Sequence, residues 1–177
     1  MKMQRFISYY TRDIDKRIKN AIFIFTDNCN RTSGNIKIPD DSSYSKRFGK
    51  TGLCHPTVTS AMLRGLERAF PITTQKTYVK GAKRFDGNWC DDDLEEFKKV
   101  IDDDFEEIKK ACVKYNPEII YFPNNGVLNG SISRLTLERT PLLFEYIIKK
   151  EIELRDFINE LNKNNKPIRR KKNESNR

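Results

Sequence analysis

Five consecutive apolar, β-prone residues, Ala21-Ile22-Phe23-Ile24-Phe25, constrain this chain more than any other feature, with Asn20 before them and Thr26-Asp27-Asn28 after them. A strand with one wet face alternates apolar and polar residues, whereas one without alternation is covered on both faces, as in a parallel sheet. Pro71-Ile72-Thr73-Thr74 and Glu118-Ile119-Ile120-Tyr121-Phe122 read as a second and a third short strand. Helices must then supply the two covers.

The clearest helix follows Asp92-x-x-Glu95, a capping-box-like start. Leu94, Phe97, Ile101, Phe105, Ile108, Cys112 and Tyr115 recur at spacings of three and four, one apolar stripe, until Asn116-Pro117 stops it. Pro56-Thr57 opens a second predicted helix over Val58–Phe70, with Gly65 as a weak point. Thr140-Pro141 opens a last one to about Leu161, proline suiting the first helical position. Phe6 to Lys19 reads either as an amphipathic helix or as a short strand and turn. Cys29 to His55 is a long polar connection, of a length that usually serves function. Strands alternating with helices predict an α/β fold: a small Rossmann-like three-layer domain with a mainly parallel sheet.

Charge divides the chain further. The formal +9 is unevenly spread, with residues 1–20 at +4 and residues 162–177 at +6, so that 21–161 sum to −1. Inside that core, 29–84 carry +8, 85–161 carry −8, and Asp27 supplies the last unit. The organisation predicted is a basic N-terminal segment (1–20), an α/β domain (21–161) and a basic disordered tail (162–177). No apolar run approaches the roughly 20 residues of a membrane-spanning helix. The opening Met1-Lys2-Met3-Gln4-Arg5 lacks the apolar stretch of a secretory signal, so a cytoplasmic address is expected.

In open α/β sheets, ligands sit beyond the carboxyl ends of the strands. Three polar segments fall there. The first holds Asp27, Asn28, Arg31, Ser33 and Gly34; the second Thr73, Thr74 and Gln75; the third Asn124, Asn125 and Gly126. Glycine turns present backbone amides to phosphate oxygens, Arg31 suits a bidentate phosphate clamp, and Asp27 suits a ribose hydroxyl or an adenine amino group. Asn, Ser and Gly also simply make turns, but three such loops at three strand ends favour a nucleotide-like pocket. Asp27 is the one carboxylate read at a strand end and the best candidate acid or base, with no partner evident in the sequence. The basic residues Lys46, Arg47, Lys50, Arg64 and Arg68 either contact phosphates or solvate a face.

Other constellations carry less. Gly49-Lys50-Thr51 lacks the glycine five positions earlier that a Walker loop needs, and G-x-G-x-x-G is absent. Asp91-Asp92-Asp93 and Asp102-Asp103-Asp104 fan out around a helix, so they read as solvated faces and an acidic helix start, not as a metal site. Cys29, Cys54, Cys90 and Cys112 form no C-x-x-C pair and read as reduced core thiols, with a Cys54 or Cys29 nucleophile beside His55 as a weaker alternative. Trp89 either stacks on a base or packs against the start of the long helix. No cofactor is indicated.

Several strings resemble an uncharacterised family of tailed bacteriophages and bacteria. They are Phe25-Thr26-Asp27-Asn28 with Arg31-Thr32-Ser33-Gly34, Pro56-Thr57 with Thr59, Ala61 and Arg64-Gly65-Leu66, and Pro71-Ile72 with Thr74-Gln75. Gly87, Trp89 and Asp91, then Phe122-Pro123 with Gly126 and Ile132-Ser133, and finally Glu138-Arg139-Thr140-Pro141, complete the set over about 21–160. A looser likeness is to macro-domain-like phage proteins, through Phe25 to Asn28, Ile72 to Thr74, and Phe122 to Gly130. That likeness implies an ADP-ribose-like or other nucleotide ligand, although Asn124-Asn125 stand where those proteins have small apolar residues. Two functions are therefore expected to compete. One is binding of a nucleotide-derived small molecule, as a counter-defence sponge or with turnover. The other is a non-enzymatic virion, nucleic-acid or host-protein interaction through the basic termini, with the 162–177 tail as a polyanion binder whose affinity falls with salt.

Overall fold

A computed structural model describes residues 1–6, 10–29, 36–37, 53–54, 60–76, 87–123, 127–128 and 135–164. Its centre is a four-stranded, all-parallel sheet of β1 (Lys2–Arg5), β6 (Ile119–Phe122), β2 (Ala21–Asn28) and β5 (Ala69–Gln75), in that spatial order. A separate antiparallel pair joins β3 (Ile36–Lys37) to β4 (Leu53–Cys54). The helices are α1 (Ile14–Arg17), α2 (Leu94–Tyr115) and α3 (Pro141–Asn164), with 3-10 turns at Ser60–Leu63 and Asp91–Asp93. This is the small α/β domain with a parallel sheet that the sequence predicts.

The unbroken apolar run is central as expected, because its two sets of side chains enter two different cores. Ile22 and Ile24 join Ile72 and the α2 stripe of Phe97, Ile101, Phe105 and Ile108, with Leu143, Ile147 and Leu154 of α3 behind. Each of these large side chains, fully buried, contributes about 1.5–3 kcal/mol. On the other face Phe23 and Phe25 meet Tyr10, Ile14, Met62 and Leu63. There Phe23 stacks on Tyr121 at 5.7 Å between ring centroids, and Phe6 meets Tyr121 edge-on at 5.1 Å.

The long helix ends as its sequence demands. Asn116 takes a left-handed φ of 42° and returns its N–H to the Cys112 carbonyl at 3.1 Å, before Pro117. Its capping box lies two residues earlier than expected. The reciprocal cap is Cys90 with Asp93, whose carboxylate accepts from the Cys90 N–H at 3.1 Å and from its thiol at 3.2 Å. Trp89 packs edge-on to Phe97 at 5.3 Å, as the packing alternative has it.

Three expectations are corrected. Of the helix expected over Val58–Phe70, the described residues 60–70 hold only the Ser60–Leu63 turn. Gly65 adopts φ 78°, short backbone bonds follow at Leu66 and Ala69, and the chain is already extended at Ala69. Pro71 is tolerated inside β5 because that strand lies at an edge of the sheet. Residues 1–20 also contribute to the sheet, since β1 pairs with β6 from Lys2↔Ile119 to Arg5↔Phe122. Finally, α3 runs on to Asn164, and Asn162 clamps Met1, accepting from its amino group at 2.7 Å and donating to its carbonyl at 2.9 Å. Residues 165–177, the rest of the predicted tail, lie outside the described residues.

Candidate functional site

The topology marks the carboxyl end of β2, the inner strand that carries Asp27 and Asn28. Between β2 and β5, the Ser60–Leu63 turn packs on the Phe23 and Phe25 face, whereas β5 and β6 lead to α2 and α3 on the Ile22 and Ile24 face. The elements that follow adjacent strands therefore lie on opposite faces around the carboxyl end of β2, and such a switch opens a crevice in α/β sheets.

Polar residues collect there. Asp27 and Asn28 end β2, Thr73, Thr74 and Gln75 end β5, and all five are buried. Asp27 is paired with Thr73 and Asn28 with Gln75, so the register slips and Thr74 is the extra residue. Such a bulge turns side chains out of the pleat and is common beside functional sites. The Cys29 N–H, donating to the Gln75 carbonyl at 3.1 Å, holds the two ends together past the slip. Of the predicted residues, then, Asp27, Asn28, Thr73, Thr74 and Gln75 converge. Arg31, Ser33, Gly34, Asn124, Asn125 and Gly126 lie outside the described residues, as do Lys46, Arg47, Lys50 and His55.

Asp27 has the partner that the sequence reading lacked. It sits on the same face as Phe23 and Phe25 by strand alternation, and meets Arg64, which follows the Ser60–Leu63 turn on that face. Arg64 Nε donates to Asp27 Oδ1 and Oδ2 at 3.1 and 2.9 Å, its Nη2 also donates to Oδ1, and the Asn28 N–H reaches the same oxygen at 2.8 Å. Both side chains are essentially inaccessible, 0 % exposed for Arg64 and 1 % for Asp27. Arg64 is thus neither a solvated nor a surface phosphate-contacting cation. Its backbone is tethered in turn by Arg12, whose Nη1 donates to the carbonyls of Met62 and Arg64 at 2.6 Å each. Both Asp27 carboxylate oxygens are thus engaged by one guanidinium.

A second buried carboxylate corrects the reading of the Asp102–Asp104 triplet as a solvated face. Asp104 is 1 % exposed. Its Oδ2 accepts the Thr73 N–H at 2.8 Å, supplying a partner to the sheet's outermost strand beside the bulge. A sequence signal existed, because Asp104 stands three residues after Ile101 and four before Ile108, inside the apolar stripe. Its neighbours are different. Asp102 accepts from Tyr146 Oη at 2.7 Å and lies 3.0 Å from Lys150, joining α2 to α3. Burial raises the Asp102 carboxyl, but the bonds from Tyr146 and Lys150 outweigh it and hold it below the usual range. Burial and the same contact push the Tyr146 phenol up to about 12.

Lys76, just past β5, bridges the site to the head of α2. It pairs with Asp93 at 2.6 Å and Glu96 at 2.8 Å, and its ammonium lies 5.3 Å from the Trp89 ring centre. Those hydrogen bonds raise the lysine, and Lys76 is the main cause lowering Asp93. Among the described cysteines, burial pushes the Cys112 thiol up to about 12, and the thiol's hydrogen bond to Asp93 raises Cys90. Neither is an activated nucleophile. Among the described residues no three His, Cys, Asp or Glu side chains are placed to hold a metal ion. No described helix is long and apolar enough to cross a membrane.

Fold and strand ends together define a small α/β domain with a parallel sheet and buried polar residues gathered at the carboxyl ends of β2 and β5. The chain belongs to DUF7831, a family of unknown function, which it matches over residues 5–150. No curated protein and no solved structure matches it.

Proposed function

We propose that this domain binds an anionic, nucleotide-derived small molecule, ADP-ribose-like or a cyclic nucleotide, in the crevice at the carboxyl ends of β2 and β5. The observation that carries this reading is the gathering of Asn28, Thr74 and Gln75 around a register slip at the switch point of the sheet. Amides and hydroxyls of that kind recognise sugar hydroxyls and base edges, and few other residues in the sheet are polar and buried. The connection from β2 to β5 lies within the +8 region of the sequence, which favours an anionic ligand. Arg31 and Gly34, on that connection, are assigned to the phosphates.

Binding without turnover is the reading for Asp27, because its carboxylate is engaged by Arg64. Sequestration fits this better than hydrolysis, and in a phage-encoded protein it serves as counter-defence. Calorimetry with ADP-ribose, cyclic ADP-ribose isomers and cyclic dinucleotides tests it. One of them is expected to bind, Arg31→Ala and Gln75→Ala each to weaken it at least about tenfold, about 1.4 kcal/mol, and deletion of 165–177 to leave it unchanged. No heat with any of these ligands, or loss of binding on deleting 165–177 alone, overturns the proposal.

A further inference from the structure

The helix α3 bears two apolar rows; the core buries one and touches the other only through half-buried Phe144. Leu143, Ile147, Leu154 and Ile158 are buried against the sheet and α2. A second row, Phe144, Ile148 and Ile152, climbs the helix at four-residue spacing, with Leu137 of the preceding turn below it. Leu137, Ile148 and Ile152 are 58, 41 and 51 % exposed. They line a groove of about 440 Å³ together with Glu145, Lys149 and Glu153. Scattered exposed aliphatics are ordinary, but a contiguous row rimmed by charge is a contact surface.

The rim charges select the occupant. Glu145, Lys149 and Glu153 alternate in sign at four-residue spacing along the outer side of the row; Lys149 lies 3.9 Å from Glu153 of its own helix, an exposed pair of the weak kind that exchanges partners at little cost. In a two-fold antiparallel pair of helices, a rim faces the same rim of the other copy, run backwards. A stagger that sets Lys149 of one copy beside Glu145 of the other forms that ion pair twice. The same stagger seats Ile148 between Phe144 and Ile148 of the second copy, so the rows interleave. The unstaggered register opposes Lys149 to Lys149 and Glu145 to Glu153, and is disfavoured by like charge. A −, +, − rim beside an aliphatic row is therefore complementary to itself.

We infer that α3 is a self-association surface, and that two copies of this chain pair antiparallel through Phe144, Ile148 and Ile152 with Lys149–Glu145 ion pairs on the rim. The row spans two helical turns, roughly 12 Å, so the contact is smaller than a standard permanent interface and the dimer is expected to be reversible.

Sedimentation equilibrium of the full chain tests this. The wild type is expected to shift from 20.8 kDa toward twice that mass as concentration rises. Ile148→Asp should remain monomeric with an unchanged thermal transition, since the side chain is exposed. Lys149→Glu and Glu145→Lys should each weaken pairing at least about tenfold, about 1.4 kcal/mol. The double variant Glu145→Lys/Lys149→Glu should recover it, and a mixture of the two single variants should form the heterodimer in preference to either homodimer. A wild type that stays monomeric up to about 1 mM, a dimer that survives Ile148→Asp, or single charge variants that pair as the wild type does would each overturn the inference.

Discussion

Ile22, Ile24 and Ile72 look out from the sheet onto two helices of more than 20 residues each, whereas Phe23 and Phe25, on the intervening positions of β2, look onto a four-residue helix and a 3-10 turn. The first face is closed by periodicity, since any residue on the apolar stripe finds a place. The second is closed by particular contacts: an aromatic cluster, the Arg12 tether to two carbonyls, and the Arg64–Asp27 pair. A face built of many equivalent contacts loses stability by degrees. One pinned by a single buried ion pair loses it abruptly, because removing one partner strands the other charge.

That difference can be broken most forcefully at Arg64. Arg64→Met is expected to destabilise the fold by about 3–5 kcal/mol, read as a fall in the urea midpoint. Adding Asp27→Asn should recover much of the loss, because the orphaned charge is then gone. A single variant as stable as the wild type would remove the distinction between the faces. A smaller effect is expected on the helical face at its polar exception. Asp104→Ala leaves the Thr73 N–H without its carboxylate and should cost about 1.5–3 kcal/mol, with faster amide exchange at Thr73 as the local signature. Unchanged exchange there would show that Asp104 does not seal the edge.

The smallest effect sharpens the comparison where α2 begins. Hydrogen bonding by Lys76 lowers Asp93 and raises the lysine itself. A lowered carboxyl lends stability that is full above its unfolded-state value, near pH ~4, and is lost as pH falls through the native value. The raised lysine lends stability lost only as pH climbs past the ordinary lysine range. The wild type's advantage over Lys76→Met should therefore be flat through neutrality and shrink at both extremes, most visibly in acid. Urea midpoints measured across pH check this, and a constant difference down to the acid limit would contradict it.

The same contrast explains what could be read in advance. The helices α2 and α3 were legible because a stripe at spacings of three and four is visible without knowing its partner, and Asn116-Pro117 and Pro141 mark two of their ends. The edge strand β1 was not, since Lys2-Met3-Gln4-Arg5 has one half-buried position and no apolar run. The expected helix over Val58–Phe70 failed because Gly65 turns through φ 78° while Arg64 is drawn inward to Asp27. Nothing local announces a pair separated by 37 residues. Asp104 was hidden by its neighbours, because a triplet of identical residues looks like one feature although its members point in three directions. At the candidate site, strand-end position was enough to find Asp27, Asn28 and Thr73 to Gln75, but not the role of Asp27.

The strand order has a consequence for the chain as it is made. The four-residue strand β1 is made long before β6, its neighbour in the described sheet, so Lys2 waits for Ile119. At about 5–20 residues per second of synthesis, β1 spends several seconds or more without that neighbour, and the Met1 clamp waits longer still for Asn162. Its polar composition, with Lys2, Gln4 and Arg5 at exposed positions, is what keeps such an unpaired segment from pairing with the wrong neighbour during that interval.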